Sequence, residues 1–97
     1  IGDLASNMLR LSLETLVSRD VEGAKQVILM DDDVDALYNQ IYRELVLMMI
    51  ENPKNIQRAT YLLWVAHDLE RIADRATNIS ERTIFMVTGE KWDISDR

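Results

Sequence analysis

Acidic and amide side chains recur at every fourth position in the segment LERIADRATNISERTIFMVTGE, residues 69–90. Glu70, Asp74 and Asn78 therefore form one row along a helix, because positions four apart lie above one another on a single face. Carboxylate and amide oxygens are ligands for hard divalent cations. The row is a candidate metal site. The alternative is a solvated helix face on which nearby arginines neutralise the acids.

A second row with the same order occurs earlier in the chain, at Asp31, Asp35 and Asn39. The pattern acid-x-x-x-Asp-x-x-x-Asn is therefore present twice. Oxygen ligands alone favour Mg, Mn or Ca over softer metals. Two such rows can hold a cation together only if their helices bring them to the same height.

The helices that position these rows are marked by apolar periodicity and by capping residues. Asp20 and Asn52 are suited to cap helix N-termini, Pro53 suits the first position of a helix, and Gly89 suits a helix end. The segment 90–97 shows no period and is expected to be irregular. The predicted helices span about residues 2–18, 21–51 and 53–88.

The predicted fold is all-α, an antiparallel three-helix bundle, because short turns join long amphipathic helices. The third helix should bury Leu69, Ile72, Ala76, Ile79, Thr83 and Met86. A projection at 100° per residue puts Glu70, Asp74 and Asn78 almost opposite that stripe, on the solvent side. Trp64 is assigned to the core.

The turn at residues 52–53 sets the register of the last two helices. Residues at equal height should have numbers that sum to about 105, so that Asp31 lies level with Asp74 and Asp35 with Glu70. Two carboxylates ~6 Å apart repel by roughly 3 kcal/mol at an effective dielectric constant of ~20. Such a cluster requires bound cations or protons, provided that the two rows face each other.

Composition excludes several classes of function. The net charge of -6 and pI near 4.6 disfavour direct binding to nucleic acid. The absence of cysteine fits a reducing compartment, and the cytoplasm is predicted.

An enzyme is not expected, because di-metal bundle enzymes use inward-facing Glu-x-x-His pairs, whereas this chain has the order His67-x-x-Glu70. A di-metal hydrolase or oxidase is the disfavoured alternative.

Three segments together resemble the PhoU family of phosphate-uptake regulators: LERIADRATNISERTIFMVTGE, DDDVDALYNQIYREL and MIENPKNIQRA. The likeness covers nearly the whole chain and best fits the second, C-terminal, of the family's two homologous three-helix repeats. It implies that this chain is one such repeat.

The resemblance also implies a metal site. Members of the family carry acid-x-x-x-Asp motifs that hold multinuclear iron or zinc clusters on the surface. Arg75 stands where many relatives have His, which removes one possible ligand. The positions of this chain that match the motifs are Asp31, Asp35, Glu70 and Asp74, with Asn78 one turn further on.

The function implied by the resemblance is negative regulation of phosphate uptake. Such a protein links a phosphate ABC transporter to a sensor histidine kinase and meets the membrane only through these partners. A homo-oligomer such as a dimer is expected, because a lone repeat exposes the face that a second repeat would cover. The alternative is a helical packing or dimerisation module without metal, for example an appendage of an anion transporter.

Overall fold

Three α-helices make up most of residues 1–91, the part of the chain that the computed structural model describes. Helix α1 is Gly2–Ser18, α2 is Val21–Glu51 and α3 is Ile56–Thr88, with no β-strand in residues 1–91. The predicted all-α three-helix fold is confirmed. The chain from Pro53 to Asn55 is a 3₁₀ turn rather than the first turn of α3. The predicted irregular tail lies mostly outside the described residues.

The corner between α1 and α2 is built by local hydrogen bonding. Asp20 caps α2, since its Oδ1 accepts a 3.0 Å hydrogen bond from the backbone N–H of Gly23. A Cβ atom at Gly23 would lie 2.6 Å from Oδ2 of Asp20 and 2.7 Å from Cγ2 of Thr15. Any larger residue at this position would therefore have to displace the capping side chain of Asp20 and the methyl group of the buried Thr15.

The second corner confirms two sequence signals. Asn52 accepts a 3.0 Å hydrogen bond from the backbone N–H of Lys54, and Asn55 donates to the backbone carbonyl of Met48 at 3.2 Å. Helix α3 ends at Gly89, whose φ of 74° is in the left-handed region. The hydrogen bonds of Asn52 and Asn55 form the turn that reverses the chain, so α2 and α3 lie antiparallel.

The register between α2 and α3 agrees with the one deduced from the turn. The rings of Tyr38 and His67, whose numbers sum to 105, lie level with centroids 6.4 Å apart. Helix α1 starts at about the same height, because a Cβ atom at Gly2 would lie 3.8 Å from Cδ1 of Leu69. The hairpin of α2 and α3 extends beyond α1 on the side of its turn.

Small side chains, rather than large ones, form the buried seam of α3. The seam residues recur every seven positions and are fully or almost fully buried: Ala59, Ala66, Ala73 and Ser80. This heptad spacing lets the neighbouring helix pack closely along the whole length of α3. The predicted stripe is therefore wrong at Met86, which is 59% exposed, although Ala76 and Thr83 are buried as expected.

Large apolar side chains are exposed where the α2–α3 hairpin extends past α1. Trp64 is 69% exposed, so its assignment to the core is wrong. The exposed apolar residues of this hairpin end are Tyr42, Leu47, Ile50, Ile56, Tyr61, Leu62, Trp64 and Val65. None of the helices in the described part of the chain has the length and apolar character needed to cross a membrane.

Candidate metal centre

The seam of α3 determines where its acidic row points. Ala73 lies at the centre of the seam, with Glu70 three residues before it and Asp74 directly after it. Both acids therefore flank the interface with α2, and Glu70 is half-buried while Asp74 is exposed. Asp74 and Asn78 are exposed as expected, but the half-burial of Glu70 shows that the row borders the interface with α2 rather than lying opposite the core. The seam of small residues lies closer to the row than the predicted stripe of large side chains does.

Helix α2 brings its own acids to the same interface. Asp31 lies between the buried residues Val27 and Val34, and is itself half-buried. Its Oδ1 atom is inaccessible to solvent and has no hydrogen-bond partner in the described part of the chain. Asp35 follows one turn later and is exposed. An oxygen that has lost water without gaining a donor is a site where a cation or a proton is favourable.

The pKa of Asp31 records this environment, since it is raised from 3.8 to about 6. Burial of the side chain is the largest cause, because it disfavours the charged form. The negative charges of neighbouring carboxylates raise it further, in the order Asp35, Asp74, Asp32 and Glu70. Two of these four neighbours belong to α3.

The other acids influence one another across the same interface. Asp35 is exposed but has lost part of its hydration, which raises its pKa, and the charges of Asp74 and Asp32 raise it further. Burial also raises the pKa of Glu70, followed by the charges of Asp35 and Asp74, whereas His67 lowers it. The acids of the two rows therefore lie close enough to repel one another. We call Asp31, Asp35, Glu70 and Asp74 the carboxylate cluster.

Neutralisation by basic side chains does not account for this cluster. The four acids form no ion pair with Lys or Arg within residues 1–91. The three arginines that follow the acidic row along α3, Arg71, Arg75 and Arg82, also form no ion pair there. The alternative of a face balanced by local salt bridges is thus not what the described residues form.

The ligand atoms of the carboxylate cluster are of a type that binds cations, but their positions do not form a preorganised site. Its donors are all carboxylate oxygens, the ligand type of Mg and Mn, and Oδ1 of Asp31 is unpaired. However, no three Asp, Glu or His side chains of the described part of the chain converge on a point where one ion would fit. A cation would therefore be held only after these side chains change rotamer.

Asn78 lies apart from the four acids in its surroundings. It lines a cleft between α1 and α3 together with Leu16, Arg75, Ile79 and Arg82.

The sequence analysis missed the effects of two further residues on the cluster. The charge of Asp32 raises the pKa of Asp31 and Asp35, and His67 lowers the pKa of Glu70. The acidic run DDDVD at 31–35 was the available signal for Asp32.

Comparison with known proteins gives the family. The family model described as PhoU domain matches residues 1–83. Similar curated proteins carry the name phosphate-specific transport system accessory protein PhoU homolog. One from Clostridium acetobutylicum is 40% identical over 96 residues, which are 99% of this chain and 44% of that protein.

Two further relatives agree. Homolog 2 from Thermotoga maritima is 44% identical over 92 residues, 95% of this chain and 39% of its own length. The Deinococcus radiodurans homolog is 47% identical over 77 residues, 79% of this chain and 36% of its own. The chain spans about two fifths of the length of the curated relatives it matches. The match to the family model over residues 1–83 shows that this chain belongs to the PhoU family, and the identity to these relatives agrees with it.

Proposed function

We propose that this chain is a three-helix repeat of a regulator of phosphate transport, and that its carboxylate cluster binds divalent cations. Family membership supports the regulatory part, because the similar proteins are named as accessory proteins of the phosphate-specific transport system. The observation that carries the metal part is that, within residues 1–91, none of four mutually repelling acids forms an ion pair with Lys or Arg. The acids are otherwise left to repel one another across the α2–α3 interface.

The ligands in this proposal are Asp31 and Asp35 on α2 with Glu70 and Asp74 on α3. A bound cation supplies positive charge between the helices, which replaces repulsion by attraction and fixes their packing. Asn78 joins the ligand set only if its amide turns from the α1–α3 cleft towards Asp74. Iron or zinc follows from the resemblance to the family, whereas manganese or magnesium follows from the oxygen ligands.

The regulatory step in this proposal is restraint and involves no catalysis. The four acids would hold a cation between α2 and α3, and its positive charge would order this hairpin, whose far end carries exposed apolar side chains suited to a protein partner. The partners are a phosphate ABC transporter and a sensor histidine kinase, which the protein links in the cytoplasm as a homo-oligomer. Loss of the cation loosens the hairpin and weakens docking, which relieves the negative regulation.

The test compares metal binding with stability. Metal-stripped protein is titrated with iron(II), zinc, manganese and magnesium, while metal content and Tm are measured together. We expect at least one metal to bind and to raise Tm, as ligands of the native state do. The double variant Glu70→Gln/Asp74→Asn should bind no metal and should melt no lower than the stripped wild type, because it has lost two repelling charges.

The matched control is Asp68→Asn/Glu81→Gln, which removes two charges from exposed positions of the same helix. It should bind metal as the wild type does. If neither the wild type nor the control binds any of the four metals, the cluster is a solvated face and the metal proposal is wrong. The packing or dimerisation module then becomes the better account, because the exposed apolar hairpin end supports it independently.

Retention of the phosphate transporter and the histidine kinase from detergent-solubilised membranes tests the partner part. Immobilised wild type should retain both with metal and less of each after stripping. Equal retention in the two states would contradict control by the cation.

A further inference from the structure

A second polar feature of α3 lies outside the carboxylate cluster. A cleft of about 400 Å³ opens between α1 and α3, lined by Leu16, Arg75, Asn78, Ile79 and Arg82. Leu16 and Ile79 are half-buried and form its apolar wall, whereas the two arginines and the asparagine are exposed. We call this feature the arginine cleft. Its volume is in the range of small-molecule sites in proteins.

The two arginines of the cleft have no acidic partner within residues 1–91. The sequence has 17 acidic and 11 basic residues, so partners are plentiful. Arg10, by contrast, donates to Glu14 at 3.0 Å and to Asn7 at 2.8 Å. Neither Arg75 nor Arg82 has a hydrogen bond or an ion pair within residues 1–91. Two guanidinium groups are therefore available to a ligand at one cleft.

The spacing of these residues suits a single anion. Seven residues separate Arg75 from Arg82, which is two helical turns or about 10.5 Å along the axis. Asn78 lies near the midpoint of this interval and carries an amide that can donate. Long side chains at both ends of the interval can reach towards its centre, where an anion would meet donors from both directions.

The number of donors indicates the kind of anion. A planar carboxylate is satisfied by one guanidinium in a bidentate pair, which would leave the second arginine and the amide without a role. A phosphate-type group has at least three outer oxygens and a dianionic charge, so it can use both arginines and the amide. We propose that the arginine cleft binds a tetrahedral dianionic oxyanion of the phosphate type. This inference depends neither on metal binding nor on family membership.

The test is an amide-resolved NMR titration of metal-stripped protein with inorganic phosphate, which excludes phosphate bound through a metal. Saturable shifts should centre on residues 75–82 and the facing part of α1, with a dissociation constant on the order of 1 mM for so exposed a site. Arg75→Gln and Arg82→Gln should each weaken binding at least tenfold. The matched control Arg10→Gln, also an exposed arginine, should leave it unchanged.

A titration with O-phosphoserine separates the two sources of such a group. Tighter binding than that of inorganic phosphate assigns the cleft to a phosphorylated side chain of a partner, and equal or weaker binding assigns it to the free anion. Circular dichroism and Tm confirm that each variant folds. The proposal is overturned if shifts do not saturate, or if Arg10→Gln weakens binding as much as the cleft variants do, since both outcomes indicate diffuse attraction. Neither outcome would affect the metal titration, which uses different residues.

Discussion

Two sides of α3 carry opposite charges, and they differ in what the neighbouring helix places beside them. Glu70 and Asp74 flank the interface with α2, where further acids come level with them and raise the pKa of Glu70. Arg75 and Arg82 flank the interface with α1, where Leu16 supplies an apolar wall. The acids of α2 and α3 repel one another, and a bound cation or proton relieves this repulsion. The two arginines belong to one helix and lie beside apolar side chains, so they remain available to bind an anion.

The neighbouring helix, more than the charged residues themselves, determines whether a charged row of α3 can bind a cation or an anion. The acidic pair Glu70 and Asp74 and the basic pair Arg75 and Arg82 lie within a short stretch of α3. The acids are four residues apart and the arginines are seven residues apart, so each pair lies along one side of the helix. The acids of α2 come close to Glu70 and Asp74 because the helices pack tightly at the seam. The small side chain of Ala73, which lies between these two acids, allows α2 to approach. Changes to the seam should therefore have the largest effect.

Ala73→Leu is expected to reduce the free energy of unfolding by about 2–3 kcal/mol. Ala73 is fully buried in the main core cluster, so a larger side chain must push α2 and α3 apart. Chemical denaturation by urea, followed by circular dichroism, measures the change. The same substitution at the exposed Ala36 should change stability by no more than about 0.5 kcal/mol. Equal effects at the two positions would contradict close packing at the seam.

Asp31→Asn should raise the free energy of unfolding of the metal-stripped protein by about 1 kcal/mol near pH 7, allowing for partial screening by solvent. The amide retains the shape of the side chain but removes the charge that burial and four neighbouring acids disfavour. Asp33→Asn, at an exposed position two residues away, is the control and should have little effect. A destabilised Asp31→Asn protein would show that the carboxylate makes a favourable contact in the metal-free state.

The pH dependence of stability should show the same group titrating. The pKa of Asp31 is about 6 in the folded protein against an ordinary value of 3.8. The folded state therefore holds a proton where the unfolded state has lost it. The resulting stability is fully present below pH 3.8 and is lost as the pH rises through about 6. Urea midpoints between about pH 5 and pH 7.5 should fall more for the stripped wild type than for Asp31→Asn, and parallel profiles would contradict this assignment.

The sequence was sufficient to predict the caps and the register, because both depend on local chemistry. Asp20 and Asn52 accept the hydrogen bonds that their types suggest, and the short turn at residues 52–55 leaves little choice of pairing height. The rotation of α3 about its axis was not predictable in the same way. A stripe of large apolar residues suggested Met86 as core, whereas close approach of the helices selected the small residues of the heptad seam.

The same limitation affected both the candidate site and the surface. Glu70 is half-buried because it lies three residues before Ala73, almost one helical turn from the centre of the seam. A search for large apolar side chains does not identify an alanine as the centre of an interface. Trp64 was misassigned for a related reason. Its position is helical and apolar, but it lies on the part of the α2–α3 hairpin that α1 does not cover, and a helical period alone does not indicate which turns of a helix have a neighbour.

The smallest effect concerns the contact that reports the register beside the cluster. Tyr38 and His67 pack with tilted rings 6.4 Å apart, one level away from Asp35 and Glu70. A double-mutant cycle with Tyr38→Leu and His67→Ala should give a coupling free energy of about 0.5 kcal/mol, as aromatic pairs do. The control cycle pairs Tyr61→Leu with His67→Ala and should show no coupling, because Tyr61 is exposed and lies on the same helix nearly two turns away. Absence of coupling in the first cycle would mean that α2 and α3 pair in a different register in solution, and the acids of the two rows would then no longer come level.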